Sequence, residues 1–154
     1  MATIVHDVVV NKPGQAYLSR EDVWGGLEIK ARNAPRFVKA IETCEVLEEG
    51  DNWLLREITG GGERHIERVT FTPLNVVRFD RVEGNSTGYI TNEIHDTDDG
   101  LVLRFRVELT RDDLEPDGEQ ERAYFEAVRV GYIDAVETTL AATRELRSDV
   151  KKAG

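Results

Sequence analysis

A chain of 154 residues is long enough for one folded domain and too short for two of ordinary size, so we expect residues 1–154 to form a single domain. Its 30 acidic and 20 basic residues give a formal net charge of -10, which repels phosphate backbones; no basic patch interrupts it, and we expect no nucleic-acid partner. No apolar run approaches the roughly 18–20 residues that span a bilayer, so we also expect no membrane insertion.

The single cysteine, Cys44, cannot form an intramolecular disulfide, and the first residues lack the basic flank and long apolar run of a secretory signal. Both features predict a cytoplasmic location. No base is marked beside Cys44, which favours a buried, unreactive thiol over a nucleophile. We expect no cofactor, and a homodimer stays open.

Residues 3–11 are rich in β-branched side chains and predict a strand, which ends in the turn cluster 11–14. A helix should follow. Ser19 is its N-cap candidate, with Asp22 three residues later, and Leu18 and Val23 are placed to form a hydrophobic staple.

This helix should carry Val23, Trp24 and Leu27 toward the core. Its Gly25-Gly26 pair costs roughly 1 kcal/mol per glycine relative to alanine, so close packing or a kink should offset the cost. The Asn-Ala-Pro sequence at 33–35 ends the helix, and residues 35–40 predict a second short helix.

From about residue 41 to 110 the hydrophobic period becomes two, with turn residues every 8 to 12 positions, as is typical of an antiparallel meander. Six strands are predicted, at 42–48, 53–60, 63–72, 76–83, 86–95 and 101–110. Alternation is clearest in the last strand, where one face is apolar and the other is charged.

After the turn at 115–118 the period becomes helical and stays so to about residue 150. Asp117 and Gln120 imitate a capping box. One stripe of this helix consists of Phe125, Val128, Tyr132, Val136, Thr139, Thr143 and Leu146. About nine turns with a single such stripe need a long partner, and the sheet is the available one.

The predicted fold class is therefore α+β of the helix-grip type. A curved antiparallel sheet of seven strands surrounds a long C-terminal helix, and two short helices follow strand 1. This arrangement leaves a cavity between sheet and helix unless large side chains fill it.

Several segments carry a family resemblance: LSREDVWGGL at 18–27, PRFV at 35–38, Cys44, LREI at 55–58 and ERV at 67–69. Together they resemble the AtaL-like family, a branch of the START-like and Bet v 1-like (SRPBCC) superfamily of helix-grip ligand-binding proteins. The resemblance runs from about residue 4 to residue 150 without large insertions. It implies the helix-grip fold with an apolar cavity and leaves the biochemical activity open.

The hairpin around Gly61 and Gly62 carries the most specific chemical pattern. If these glycines form a two-residue turn, Arg56 faces Glu67 across the two strands. The same register places Ile58 opposite His65, and Leu54 opposite Val69, on one inward face. An ion pair is thus predicted on the apolar side of the sheet.

Three interpretations of this pair stay open: a polar anchor that orients a ligand oxygen, a structural ion pair near the rim of the sheet, and a catalytic pair. If the pair is buried, replacing Arg56 by Met together with Glu67 by Leu should leave stability nearly unchanged. His6, His65, His95 and Glu67 lack the spacing of a zinc site, and we expect no metal.

We expect the cavity to be lined by Trp24, Leu54, Arg56, Ile58, His65, Glu67, Val69, Phe79, Phe105, Val128 and Tyr132. The first functional hypothesis is binding or carriage of a small hydrophobic or aromatic molecule. The second is a cyclase or hydrolase that uses the same cavity, and the third is a protein-interaction module whose cavity has collapsed. The fold alone does not decide between them.

Overall fold

A computed structural model describes the backbone of residues 2–153 and the side chains of residues 3–147. The strands are β1 (Ala2–Val9), β2 (Thr43–Gly50), β3 (Trp53–Gly60), β4 (Glu63–Thr72), β5 (Val76–Glu83), β6 (Ser86–Thr97) and β7 (Gly100–Arg111). The helices are α1 (Arg20–Arg32), a 3-10 helix (Ala34–Arg36) and α2 (Glu119–Ala153).

All seven strands belong to one antiparallel sheet in the order β1-β7-β6-β5-β4-β3-β2. The strands β2 to β7 therefore follow one another as the predicted meander, and β1 returns to pair with β7. The two edges of the sheet are β1 and β2, and the β2 pairing shifts register between Val46 and Glu48. The α+β helix-grip prediction is confirmed.

The start of α1 is the predicted one. The Ser19 hydroxyl accepts a hydrogen bond from the backbone N–H of Asp22 at 3.1 Å, and the Asp22 carboxylate accepts one from the Ser19 N–H at 2.8 Å. Two of the helix's free N-terminal donors are thereby satisfied. Leu18 and Val23, the two residues of the predicted staple, are both buried.

The two glycines of α1 have different surroundings. A Cβ added to Gly26 would lie 2.2 Å from the Thr143 hydroxyl of α2, whereas one added to Gly25 would meet nothing within 4 Å. Close approach of the two helices therefore explains Gly26, and no packing constraint applies to Gly25.

Two predicted local features are different in the structure. The second helix is only a 3-10 turn, because the N–H groups of Phe37 and Val38 both bond to the Ala34 carbonyl and no longer ladder follows. The capping box of Asp117 with Gln120 is wrong. Asp117 has a φ of +60°, outside the extended region of an N-cap, and its N–H donates to the Glu121 carboxylate instead.

Helix α2 lies against the sheet and against α1. Its second half is buried through Ala135, Val136, Thr139, Leu140 and Thr143. The Arg144 guanidinium also fixes this half, donating to the Val10 carbonyl at 2.6 Å and to the Ala16 carbonyl at 2.8 Å. Among the described residues, no helix combines the length and apolar character needed to cross a membrane.

Candidate functional site

A cavity of about 430 Å³ lies between the sheet and the first half of α2. Its floor comes from β3 to β7, its roof from residues 124–134 of α2, and its sides from Lys30 and residues 38–41. The curvature of the sheet holds these elements apart, and the half-buried roof residues do not fill the space between them. The apolar part of the wall consists of Ile58, Phe79, Ile90, Phe105, Val128 and Tyr132.

Three charged side chains form the most polar part of the wall. Arg56 donates to Oε1 of Glu67 through Nε at 3.0 Å and through a terminal nitrogen at 2.7 Å. Arg81 forms an ion pair with the other carboxylate oxygen, with its Nε 2.8 Å from Oε2. The side chains of Arg56, Glu67 and Arg81 are 5%, 1% and 9% exposed, so the cluster is desolvated.

Neighbouring groups keep this cluster charged. Burial raises the pKa of the Glu67 carboxyl, but the charges of Arg56 and Arg81 outweigh burial and hold that pKa below its usual range. Arg56 also donates to the Ala31 carbonyl at 3.1 Å and lies 4.7 Å from the centre of the Phe79 ring. Two guanidinium groups share one carboxylate, so the cluster carries one surplus positive charge.

A second polar group enters from α1. The Lys30 Nζ donates to Oδ1 of Asn92 at 2.8 Å and lies 4.5 Å from the centre of the Phe105 ring. Burial, followed by the charge of Arg56, lowers the pKa of Lys30 to about 7, while the charge of Glu67 opposes the change. Both Lys30 and Asn92 are buried, with exposures of 4% and 1%.

Two further titratable side chains complete the wall. Burial raises the pKa of Tyr132 to about 12, so its hydroxyl keeps its proton at neutral pH. Burial, followed by the charge of Arg81, lowers the pKa of His65, which keeps the ring neutral. Nδ1 of His65 is buried beside Gly84, and within the described side chains it has no hydrogen-bond partner.

The profile of one protein family, described as acetylaranotin biosynthesis cluster protein L (AtaL), matches residues 4–149. The chain belongs to the AtaL family. The resemblance predicted from the sequence is thereby confirmed. No protein with a curated functional description matches the sequence.

Solved structures with the AtaL-family chain's fold are remote in sequence. The Zhui aromatase/cyclase from Streptomyces sp. R1128 is 21% identical with a TM-score of 0.70, over 96% of this chain and 97% of that one. TTHA0849 from Thermus thermophilus is 15% identical with a TM-score of 0.72, over 92% and 97%. Ara h 8.0201, a Bet v 1-type protein, is 11% identical with a TM-score of 0.57, over 94% and 96%. At such identities they show a shared Bet v 1-like fold.

Most of the predicted site residues lie on the cavity wall. These are Arg56, Ile58, His65, Glu67, Phe79, Phe105, Val128 and Tyr132. The register around Gly61 and Gly62 is also the predicted one, with Arg56 opposite Glu67. The pair is buried, so its placement at an exposed rim is wrong. Whether these residues contact a ligand stays a prediction.

Three predicted lining residues do not line the cavity: Trp24, Leu54 and Val69. They belong to the packed core, where Trp24 meets Phe71 edge to face at 6.2 Å between ring centres. Leu54 and Val69 are on the predicted face of the sheet, but they face each other at the other end of the hairpin from the cavity. Alternation gives the face of a strand and not the position along it where packing ends.

Sequence reasoning missed Arg81, Lys30 and Asn92. A signal existed for Arg81, which is two residues from Phe79 and so shares its inward face. Lys30 is seven residues after Val23 and three after Leu27, on the apolar face of α1. The described residues contain no group of three or more potential metal ligands, and Cys44 is half-buried rather than buried.

Proposed function

We propose that the protein binds a small hydrophobic molecule of two or three rings in this cavity, with an oxygen substituent of the ligand directed at Arg56 and Arg81. Ligand sites of proteins enclose roughly 300–1,000 Å³, and a volume of about 430 Å³ falls in that range. It is roughly three times the ~150 Å³ that accommodates benzene, which sets the size of the ligand.

One observation carries the proposal. An otherwise apolar, ring-lined wall contains two buried guanidinium groups that share one carboxylate. A surplus positive charge in a desolvated site is costly unless an anion or a strong dipole faces it. A carboxylate, phenol or carbonyl on the ligand supplies that partner, while the rings of Phe79, Phe105 and Tyr132 contact its apolar body.

Native mass spectrometry of freshly purified protein tests occupancy directly, because a bound apolar molecule adds its mass to the chain. Affinity is then measured with two probes, 2-naphthoate and neutral 2-methylnaphthalene, in competition with a fluorescent naphthalene dye. We expect naphthoate to bind at least about tenfold more tightly, as a charged hydrogen bond contributes roughly 1.5–3 kcal/mol.

The variant that isolates the anchor is Arg81→Met, which leaves Arg56 and Glu67 paired. It should reduce the affinity for naphthoate about tenfold or more and leave that for methylnaphthalene nearly unchanged. Arg129→Met is the matched control, because Arg129 is half-exposed on α2 and bonds only to Glu126 among the described residues. Equal effects of the two variants would contradict the proposal.

A cyclase-type enzyme is the second candidate. It is favoured by the fold similarity to the Zhui aromatase/cyclase and by the neutral His65, whose unbonded Nδ1 belongs to a cavity-lining side chain. A binder returns its copurified compound unchanged, whereas an enzyme alters its mass on incubation. A collapsed cavity, as in the interaction-module hypothesis, does not fit the open volume.

A further inference from the structure

Lys30 is a buried amine without a carboxylate partner. Within the described part of the chain, no acidic oxygen lies within ion-pair distance of its Nζ, which bonds instead to the neutral amide of Asn92. The faces of Phe105 and Phe79 lie 4.5 and 5.8 Å from the nitrogen, and the side chain reaches the cavity wall. A lysine that served only to neutralise charge would be placed beside an acid.

The charged groups that face Lys30 are Arg56 on β3 and Glu67 on β4, and Glu67 is already shared by two arginines. Burial and the charge of Arg56 together bring the pKa of Lys30 to about 7. About half of the molecules then carry an unprotonated amine at neutral pH. Desolvation beside another cation is one of the ways in which proteins turn a lysine into a nucleophile.

Asn92 supplies a second feature of the site. Its Oδ1 accepts from the lysine and so fixes the position of the amine, while its Nδ2 is buried and has no acceptor among the described residues. Both residues line the same cavity. An oxygen atom of a ligand that approaches the amine would find this amide donor beside it.

We propose that Lys30 reversibly forms an imine with an aldehyde or ketone group of a ring-bearing ligand in the cavity. This inference rests on the proposed function, because the ligand must first enter. The nitrogen lone pair attacks the carbonyl carbon and forms the C–N bond, while one Nζ proton is transferred to the carbonyl oxygen. The C–O bond then breaks, the oxygen leaves as water with the second Nζ proton, and the C=N bond remains.

The test uses 2-naphthaldehyde with sodium cyanoborohydride, which reduces the imine to a stable secondary amine, followed by digestion and mass spectrometry. Lys39 is the internal control, because it borders the same cavity with a side chain that is 78% exposed. At pH 7 we expect Lys30 to be labelled at least about tenfold faster than Lys39, because far more of its amine is unprotonated. Labelling of Lys30 no faster than that of Lys39 would overturn the inference.

Two variants separate chemistry from folding. Asn92→Asp places a carboxylate beside the amine, keeps it protonated, and should slow labelling at position 30 at least about fivefold. Lys30→Met should abolish the fast adduct and still bind 2-naphthoate. Unchanged labelling in Asn92→Asp contradicts the role assigned to the free amine.

The naphthoate titration keeps the two proposals apart. If naphthoate binds and Lys30 is not labelled preferentially, the imine is wrong and the proposed ligand site stands. If naphthoate does not bind to the wild-type protein, both proposals fail.

Discussion

The two halves of α2 have the same hydrophobic period and different surroundings. In the second half, Val136 is completely buried and Thr143 meets Gly26 of α1. In the first half, Val128 and Tyr132 continue the same stripe but are only half-buried, because they roof the cavity. An apolar stripe therefore shows which side of a helix faces inward and does not distinguish a packed core from a binding site.

The polar groups of the two halves differ in the same way. In the packed half, the hydroxyls of Thr139 and Thr143 donate to carbonyls of the helix itself, at 2.7 Å each. Below the roof, by contrast, the buried polar groups include a surplus charge and unbonded nitrogens. Buried polar groups normally find partners, so incomplete pairing on one side of the molecule indicates where a ligand belongs.

The largest expected effect is on the charged cluster. Glu67→Ala leaves two buried guanidinium groups without their carboxylate and should lower the free energy of unfolding by about 3–5 kcal/mol, measured by urea denaturation. Glu126→Ala, which removes an exposed acid from the outer surface of α2, should cost less than about 1 kcal/mol. Similar midpoints for the two variants would mean that the cluster is solvated.

Arg81 also changes the expectation for apolar replacement. Replacing only Arg56 by Met and Glu67 by Leu now leaves Arg81 without a partner, so this double variant should be destabilised rather than neutral. Adding Arg81→Met should restore stability to that of the wild type or raise it by about 1–4 kcal/mol. A neutral double variant would show that Arg81 contributes nothing to the cluster.

The next effect is a pH dependence that Lys30 introduces. Its pKa is about 7 in the folded state against 10.5 for the ordinary group, so the unfolded state binds more protons between these values. The free energy of unfolding, taken relative to Lys30→Met, should rise by about 2 kcal/mol from pH 7 to pH 9. Parallel pH curves for the two proteins would show that the folded state does not lower this pKa.

Two valines of α2 compare its halves directly. Val136→Ala leaves a cavity in the packed half and should cost about 2 kcal/mol. Val128→Ala enlarges a cavity that already exists and should cost less than about 0.5 kcal/mol. Thermal or urea unfolding measures both, and equal losses would mean that the first half of α2 is packed as tightly as the second.

The smallest effects concern the glycine pair. Gly26→Ala inserts a methyl group against Thr143 and should destabilise the fold by about 1 kcal/mol, net of the gain in helix propensity. Gly25→Ala meets no neighbour and should stabilise it by about 0.5–1 kcal/mol. Opposite signs in the same denaturation experiment are expected, and a stabilising Gly26→Ala would show that the helices separate at little cost.

Local rules predicted the fold well, because strand period, turn glycines and helix caps act over a few residues. The register of Arg56 with Glu67 followed from one two-residue turn. The cavity could be predicted only in part, since its limits depend on how far α2 stands from the sheet. That distance decides why Phe79 lines a cavity while Val69, opposite it on the next strand, is in the core.

The edge strand β2 has a consequence for the behaviour of the protein at high concentration. Its outer backbone groups are free to pair with another extended chain, the route by which sheets grow between molecules. The register shift after Val46 interrupts that hydrogen-bonding edge, and exposed Glu45, Glu48 and Glu49 would meet like charges on an identical copy. Intermolecular sheet extension through β2 is therefore disfavoured, which protects a sheet that must stay open at its edge to remain curved around a ligand.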